Sequence, residues 1–401
     1  MVSKLGVRDV VAAVAASARR WSDRAYAPRR SACLQIAART GYAEAVVETA
    51  LDRLFAPIEA AVIEATIIAE LGSLEVLDDF VVRPGAGRVR ALPIGRVCIV
   101  SSRTTIGVAI VPALFALCAG CEVLVKDRED HLVEAFFTTL REVEPALAGR
   151  AAAMPWHGET DAVDLGTFDS VVAFGSNDTL ATIARGLPLQ THFIPYGTAA
   201  SAGYIGAEAL DNEARARTIA RDASRDALLY DGEGCMSLHV LFVASSGRIS
   251  PSRFAELLRD AFAETGREYP ASHAPATTAR RALERDAAML HSSQRVLSDD
   301  GASYLLVAGS SNGSPPLLTP RALNLVVVND QQEAAEYLQR YGITLEALAV
   351  SEAGGDYFKL ARECGAARIT PFGSMQAPPP GNPHGGRPRI VEFVRWIADE
   401  T

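Results

Sequence analysis

No run of clustered lysine and arginine occurs anywhere in the 401 residues, and the formal net charge is −9. Phosphate backbones are held by grouped basic side chains, so no nucleic-acid partner is expected. Cysteine is sparse and scattered, with six thiols at positions 33, 98, 118, 121, 235 and 364. That spacing makes no disulfide framework. The one CxxC, Cys118 to Cys121, lies in an apolar Ala/Leu run and reads as buried rather than as a redox or metal pair. The chain also lacks an uninterrupted membrane span: Gly107 to Val125 is long and apolar, but Pro112, Gly120 and Glu122 divide it into a buried helix, a tight turn and a buried strand. Near the start, Asp9 interrupts the apolar stretch and Arg19-Arg20 follow it, where a signal peptide would carry small cleavage-site residues. A cytoplasmic protein with reduced thiols is expected. Internal repeats and low-complexity domains are missing as well.

What is present is ordinary for a globular protein, with 49% apolar and 22% charged residues. Single cores stop growing near about 250 to 300 residues, so the length implies two domains. Residues 1 to about 72 read as helices over Val7 to Ser17, Ser31 to Arg39 and Ala43 to Leu71, with Gly72-Ser73 as a stop. Val76 to Arg90 alternates around Pro84-Gly-Ala-Gly87 and predicts a β-hairpin. From Arg96 onward strands and helices alternate, as in a parallel sheet. A helix from about Asp211 to Ala227 leads into a second α/β block that begins at Cys235. The segments Gly309 to Pro320 and Gln376 to Pro388 read as loops, and Ile390 to Asp399 as a final helix.

The most informative segment is Tyr230-Asp-Gly-Glu-Gly-Cys-Met-Ser-Leu-His239. Glycines at 232 and 234 permit positive φ and close approach of a substrate, and the β-rich stretch Leu238 to Val243 would fix the height of the thiol. Cys235 reads either as a nucleophile or as an incidental cysteine in a turn entering a strand. His239 is a further candidate for tuning the thiol, but four residues along a strand span about 13 Å, which favours packing. Glu233 reads as an acid for ribose contact or proton transfer, or as an exposed turn residue. Lys126 closes the buried run Val123-Leu-Val-Lys-Asp-Arg-Glu129 at the carboxyl edge of a parallel sheet, where such folds bind ligands. It reads either as a ribose or phosphate contact or as a charge turned to solvent. Val172-Ala-Phe-Gly-Ser176 ahead of a helix offers free N–H groups for a phosphate, or simply an N-cap.

Taken in order, Pro93-Ile-Gly-Arg-Val97, Ala-Gly-Cys-Glu-Val-Leu-Val-Lys126, Phe-Gly-Ser176 and Gly-Glu-Gly-Cys235 resemble the aldehyde dehydrogenase superfamily. The tail Gly373-Ser-Met-Gln-Ala-Pro-Pro, His384-Gly-Gly-Arg-Pro388 and Phe393-Val-Arg-Trp396 resembles the bioluminescence-type acyl-CoA reductases of the LuxC family. The resemblance covers roughly residues 90 to 401. It implies an α/β fold of aldehyde dehydrogenase type: a Rossmann-like cofactor domain, an α/β catalytic domain and an oligomerisation hairpin at 76–90. The corresponding divisions are 1–228, 229–372 and a tail at 373–401. Cys235 falls on the nucleophile, Lys126 on the lysine that binds the adenosine ribose, and Gly175 and Ser176 on the turn at the pyrophosphate.

The chain departs from the superfamily pattern twice. Ser101-Ser-Arg103-Thr-Thr replaces the segment bearing the oxyanion-binding Asn, which makes Arg103 or a neighbouring hydroxyl the candidate donor. Ile194-Pro-Tyr-Gly-Thr198 replaces the Glu-Leu-Gly-Gly whose acid activates water, so a thioester on Cys235 would be exchanged with a thiol carrier rather than hydrolysed. The expected function is NAD(P)H-dependent reduction of an acyl-CoA or acyl-carrier thioester to an aldehyde. Glu129 would favour NADH through a ribose 2′-hydroxyl and Arg128 NADPH through a 2′-phosphate, and the resemblance favours NADPH. An acyl-activating synthetase partner and a homodimer or homotetramer are implied. The alternatives are an oxidising aldehyde dehydrogenase, an acyl-phosphate reductase and a non-catalytic acyl-holding or scaffolding subunit.

Overall fold

The computed structural model describes residues 5–85, 87–102, 105–128, 131–155, 163–271, 275–291, 294–352 and 355–401. The chain forms two compact units. Unit 1 comprises Met1–Arg39, Val47–Thr198 and Pro379–Thr401, and unit 2 comprises Thr40–Val46 and Ala199–Pro378. The units divide at Thr198, upstream of the 228/229 division expected for the catalytic domain, and the tail from Pro379 belongs to unit 1.

Unit 1 begins with helices. The expected helix Ala43 to Leu71 is two, Glu44–Phe55 and Ala60–Leu71. Pro57 lies at the break, as its missing N–H and fixed φ require. Gly72 closes the second helix in the left-handed conformation, φ 91°, and donates its N–H to Ile68 O at 2.9 Å. The helices pack through aromatic rings: Trp21 lies 5.1 Å from Phe55, and Phe55 stacks on Phe136 at 5.2 Å. The Trp21 Nε1–H is satisfied by Thr139 Oγ1 at 2.9 Å. A hairpin follows, β1 (Val81–Arg83) and β2 (Gly87–Pro93). Then come β3 (Arg96–Val100), β4 (Glu122–Asp127), β5 (Ala151–Pro155), β6 (Ser170–Phe174) and β7 (His192–Tyr196). They form a parallel sheet of order β5-β4-β3-β6-β7. The strand order reverses between β3 and β6, and such reversals open a ligand crevice beyond the carboxyl ends of the strands. The apolar stretch after Gly107 forms the helix Ile110–Cys118, a turn at Gly120 and strand β4, with Cys118 and Cys121 both buried.

Unit 2 contains β8 (Ala200–Ile205), β9 (Leu238–Ala244), β10 (Arg295–Ser298), β11 (Leu305–Ser310), β12 (Ala322–Val328), β13 (Leu345–Val350) and β14 (Arg368–Pro371) in the order β10-β11-β12-β9-β8-β13-β14. All neighbours are parallel except the β10–β11 pair. Among the described residues no helix is long and apolar enough to cross a membrane.

The tail overturns one expectation. Ile390 to Asp399 is not a helix: Val391–Phe393 make one 3-10 turn and β15 (Val394–Asp399) pairs antiparallel with β2, Trp396 opposite Ala91. The open edge of the hairpin supplies backbone partners, and valine, tryptophan and isoleucine suit a pleated surface. The Glu70 carboxylate anchors this return by accepting the N–H groups of Arg389, Ile390 and Val391 at 2.7, 2.8 and 3.1 Å. Replacing Glu70 with Ala strips a charged acceptor from three donors, so unfolding in urea should show a loss of about 2–4 kcal/mol.

Candidate active site

After the helix Glu213–Leu228 the chain enters a tight turn in which Tyr230, Asp231 and Gly232 are all left-handed, with φ of 56°, 53° and 73°. A non-glycine residue held there costs about 1–2 kcal/mol, so the turn needs external support. Arg321, 1% exposed at its side chain, pairs through Nη1 with Asp231 Oδ1 at 2.8 Å, and its backbone N–H donates to Asp231 O at 2.7 Å. Its Nε donates to Ser303 O at 2.8 Å. Tyr42 Oη donates to Tyr230 O at 3.3 Å. At Gly232 a Cβ would stand 2.9 Å from Ala227 O, so only glycine fits this left-handed position.

His239 has turned back onto the same turn. It is the extra residue of a bulge, since Ser201 pairs with Leu238 and Ala202 with Val240. Its Nε2 donates to Gly232 O at 2.9 Å, its Nδ1 is buried without a partner, and burial holds its pKa below the usual imidazole range. A neutral ring engaged in this way braces the turn rather than activating the thiol.

Past the turn, Ser237 N donates to Gly234 O at 2.9 Å, Ser201 Oγ donates to Cys235 O at 2.8 Å, and Gln376 Nε2 donates to Ser237 Oγ at 2.7 Å. The backbone of Cys235 is thereby fixed at the entry to β9. Cys235 is half-buried, whereas the other five cysteines are buried. Burial pushes its thiol up to about 12, the Glu346 carboxylate adds to this, and the backbone N–H groups of Cys235 and Met236 and the Arg368 guanidinium oppose it. Glu233 lies exposed on the rim of the turn. Desolvation and Asp231 hold its carboxyl above the usual range, against a hydrogen bond from Tyr42.

The remaining candidates belong to unit 1. Lys126 is 4% exposed, which rules out a charge turned to solvent. Ser101 fixes its strand end: its N–H and Oγ both donate to Lys126 O, at 3.2 and 3.1 Å, and its Oγ accepts from Arg128 N at 3.0 Å. Gly175 and Ser176 follow β6 at the strand-order reversal. Ser176 is the N-cap of the helix Asn177–Gly186, its Oγ accepting from Thr179 N at 3.3 Å. The hydroxyl is thus committed to the cap, while residues 176–178 are exposed. Arg103 and Glu129 lie outside the described residues.

The segment Ile194 to Thr198 carries an aromatic cluster. Tyr196 stacks on Phe174 at 4.8 Å, and the His384 ring meets Tyr196 edge-on at 4.6 Å. No sequence signal ties these three residues together, because they come from two strand ends and the distant tail.

The acyl-CoA reductase (LuxC) family matches the chain over residues 2–396. The chain belongs to this family. The reaction of this reductase is the aldehyde-forming reduction of an acyl-CoA. Its fold is that of the aldehyde dehydrogenase superfamily. It is similar to an NAD-dependent benzaldehyde dehydrogenase from Corynebacterium glutamicum, with 13% identity, TM-score 0.68, and 99% of this chain and 86% of that one covered. An oxidoreductase from Marinobacter aquaeolei matches with 12% identity and TM-score 0.73, covering 100% of this chain and 87% of that one. An NAD-dependent aldehyde dehydrogenase from Sinorhizobium meliloti matches with 15% identity and TM-score 0.68, covering 98% and 86%. At these identities the likeness is one of fold. No curated protein matches the chain significantly.

In this reductase the Asp231–Arg321 pair is almost fully desolvated. Asp231→Asn leaves a buried guanidinium without its counter-charge, and denaturation should show a loss of about 3–5 kcal/mol.

Proposed function

We propose that the reductase carries its acyl group on Cys235 and takes its hydride from a reduced nicotinamide, NADPH in preference to NADH. The observation that carries this reading is the fixed turn. A strained, ion-paired loop with three further side-chain hydrogen bonds holds the one cysteine that is not buried, an arrangement that a packing thiol does not need.

The Cys235 sulfur attacks the thioester carbonyl and expels coenzyme A, leaving an acyl-enzyme. The N–H groups of Cys235 and Met236, which already face the sulfur, are suited to stabilising the charge that develops beside it. When bound, the cofactor supplies the hydride that turns the acyl-enzyme into aldehyde and restores the thiol. At Ile194 to Thr198, where the superfamily keeps its water-activating acid, Tyr196 and Pro195 stand instead. This favours delivery of the acyl group to reduction over hydrolysis.

The residues of unit 1 fit a dinucleotide. Exposed N–H groups at the start of Asn177–Gly186, beyond Gly175 and Ser176, suit a pyrophosphate. Asp178 in that first turn works against an anion, and Lys126 with Arg128 would supply the compensating charge. Lys126 is placed for the adenosine ribose, Arg128 for a 2′-phosphate, and Glu129 for a 2′-hydroxyl if NADH is used. Arg103 remains a proposed oxyanion donor and Glu233 a proposed ribose or proton-transfer group. The proposal includes a homodimer or homotetramer formed through the hairpin, whose sheet exposes Val82, Trp396 and Ile397. An acyl carrier protein as alternative donor and an acyl-activating synthetase as partner belong to the same reading.

Incubation with a panel of acyl-CoAs should give an acyl adduct by intact mass in the wild type and none in Cys235→Ala. Adding NADPH should remove the adduct with release of aldehyde, and a wild type that takes no acyl group from any donor contradicts the reading. Arg128→Ala loses a charge-assisted contact, so its KM for NADPH should rise about tenfold or more while that for NADH stays near the wild-type value.

A further inference from the structure

Strand β13 contains an irregularity of its own. Leu345 pairs with Ala200 and Ala347 with Ser201, so Glu346 is an extra residue bulged out of the ladder. Bulges are rare between parallel strands, and they re-aim side chains beside active sites. Here two bulges, at His239 and Glu346, flank one residue of β8, Ser201. The Ser201 hydroxyl joins them to the nucleophile: it donates to Cys235 O at 2.8 Å and accepts from Ala347 N at 3.1 Å. The residue next to Glu346 is therefore one hydroxyl away from the Cys235 backbone.

Glu346 is 8% exposed, an uncommon setting for a carboxylate. Its backbone is fixed by Ala367 N, which donates to Glu346 O at 3.2 Å. Arg368, from β14, is held by Ser374 O at 3.2 Å and Met375 O at 2.5 Å. It interacts electrostatically with Asp226, Glu346 and Cys235 together. The charged groups that act on the thiol are Glu346 from β13 and Arg368 from β14, with Asp226 acting in turn on Arg368, while neutral His239 is engaged with Gly232. A carboxylate from β13 and a guanidinium from β14 thus both act on the thiol, and an acid beside a nucleophile is a candidate base.

We infer that Glu346 is the general base for Cys235, taking the thiol proton as the acyl group arrives and returning it to the departing thiol. This rests on Cys235 being the acyl carrier. The step balances. The S–H proton moves to the Glu346 carboxylate while the Cys235 sulfur bonds to the acyl carbon. The bond from that carbon to the coenzyme A sulfur breaks, and the leaving thiolate takes the proton from the Glu346 carboxylic acid. Nothing is oxidised or reduced, and the carboxylate is ready for the next turnover. The base explains how a thiol with so little thiolate in the resting protein can react near neutral pH.

The test is single-turnover acyl transfer from an acyl-CoA, followed by intact mass between pH 6 and 9, for the wild type, Glu346→Gln and Glu346→Asp. Transfer by Glu346→Gln should fall by about 10²–10⁴ at pH 7 and climb steadily with pH, while Glu346→Asp recovers part of the rate. Alkylation of Cys235 by iodoacetamide at pH 9 should stay comparable in all three, which separates a missing base from a collapsed site. Acylation of Glu346→Gln at the wild-type rate or faster overturns the inference, because that is what removing a negative neighbour alone would do. A Glu346→Gln variant that loses only a slow release of free acid overturns it too, since the carboxylate would then serve water. Failure of the wild type to take any acyl group defeats the Cys235 reading itself, a result distinct from an adduct that forms without Glu346.

Discussion

One buried ion pair organises the turn that precedes Cys235 in unit 2. Asp231 and Arg321 meet at 2.8 Å in near-complete burial, and around them three successive residues stay left-handed. Without compensation the backbone would relax to a commoner conformation. The pair, together with the Arg321 N–H on Asp231 O, makes relaxation cost more than the strain. The turn in its held form imposes a direction on the chain: Gly234 and Cys235 leave it at a fixed angle, and β9 begins where the sulfur has been set.

Four further side chains support the backbone that carries that sulfur. His239 braces Gly232, Ser201 braces Cys235, Gln376 braces Ser237, and Tyr42 comes from far upstream to cap Tyr230. Each side chain satisfies a carbonyl or hydroxyl that a strained loop would otherwise leave unpaired. The same principle explains the two bulges, where an extra residue in a strand frees a side chain from the sheet's alternation.

Much of this architecture is legible in the sequence where the signal is local. Alternating strands and helices indicate the parallel sheets, Gly72 marks a helix end, and the glycines of the 230–239 run mark a special turn. Non-local features are hidden. The Ile390 to Asp399 segment has helical length and no internal breaker, and only the open edge of β2, three hundred residues earlier in the chain, makes it a strand. Glu346 carries no local signal, because a bulge depends on how two strands pair. The roles of Arg321 and Tyr42 are invisible for the same reason, since neither is near residue 230 in sequence. Pro57 is the exception, a local signal masked by a long apolar periodicity.

The route of the chain has a consequence for biosynthesis. Unit 1 is interrupted by almost the whole of unit 2, and its third hairpin-sheet strand and the segment held by Glu70 lie beyond Pro379. On the ribosome, unit 2 therefore emerges in full while unit 1 still waits for a missing edge. The nascent protein carries an incomplete first half through most of translation, with one edge of β2 unpaired. Co-translational folding must then run inside-out, the inserted unit closing before the one that surrounds it. Chaperone protection of the β1–β2 hairpin would matter most in that interval.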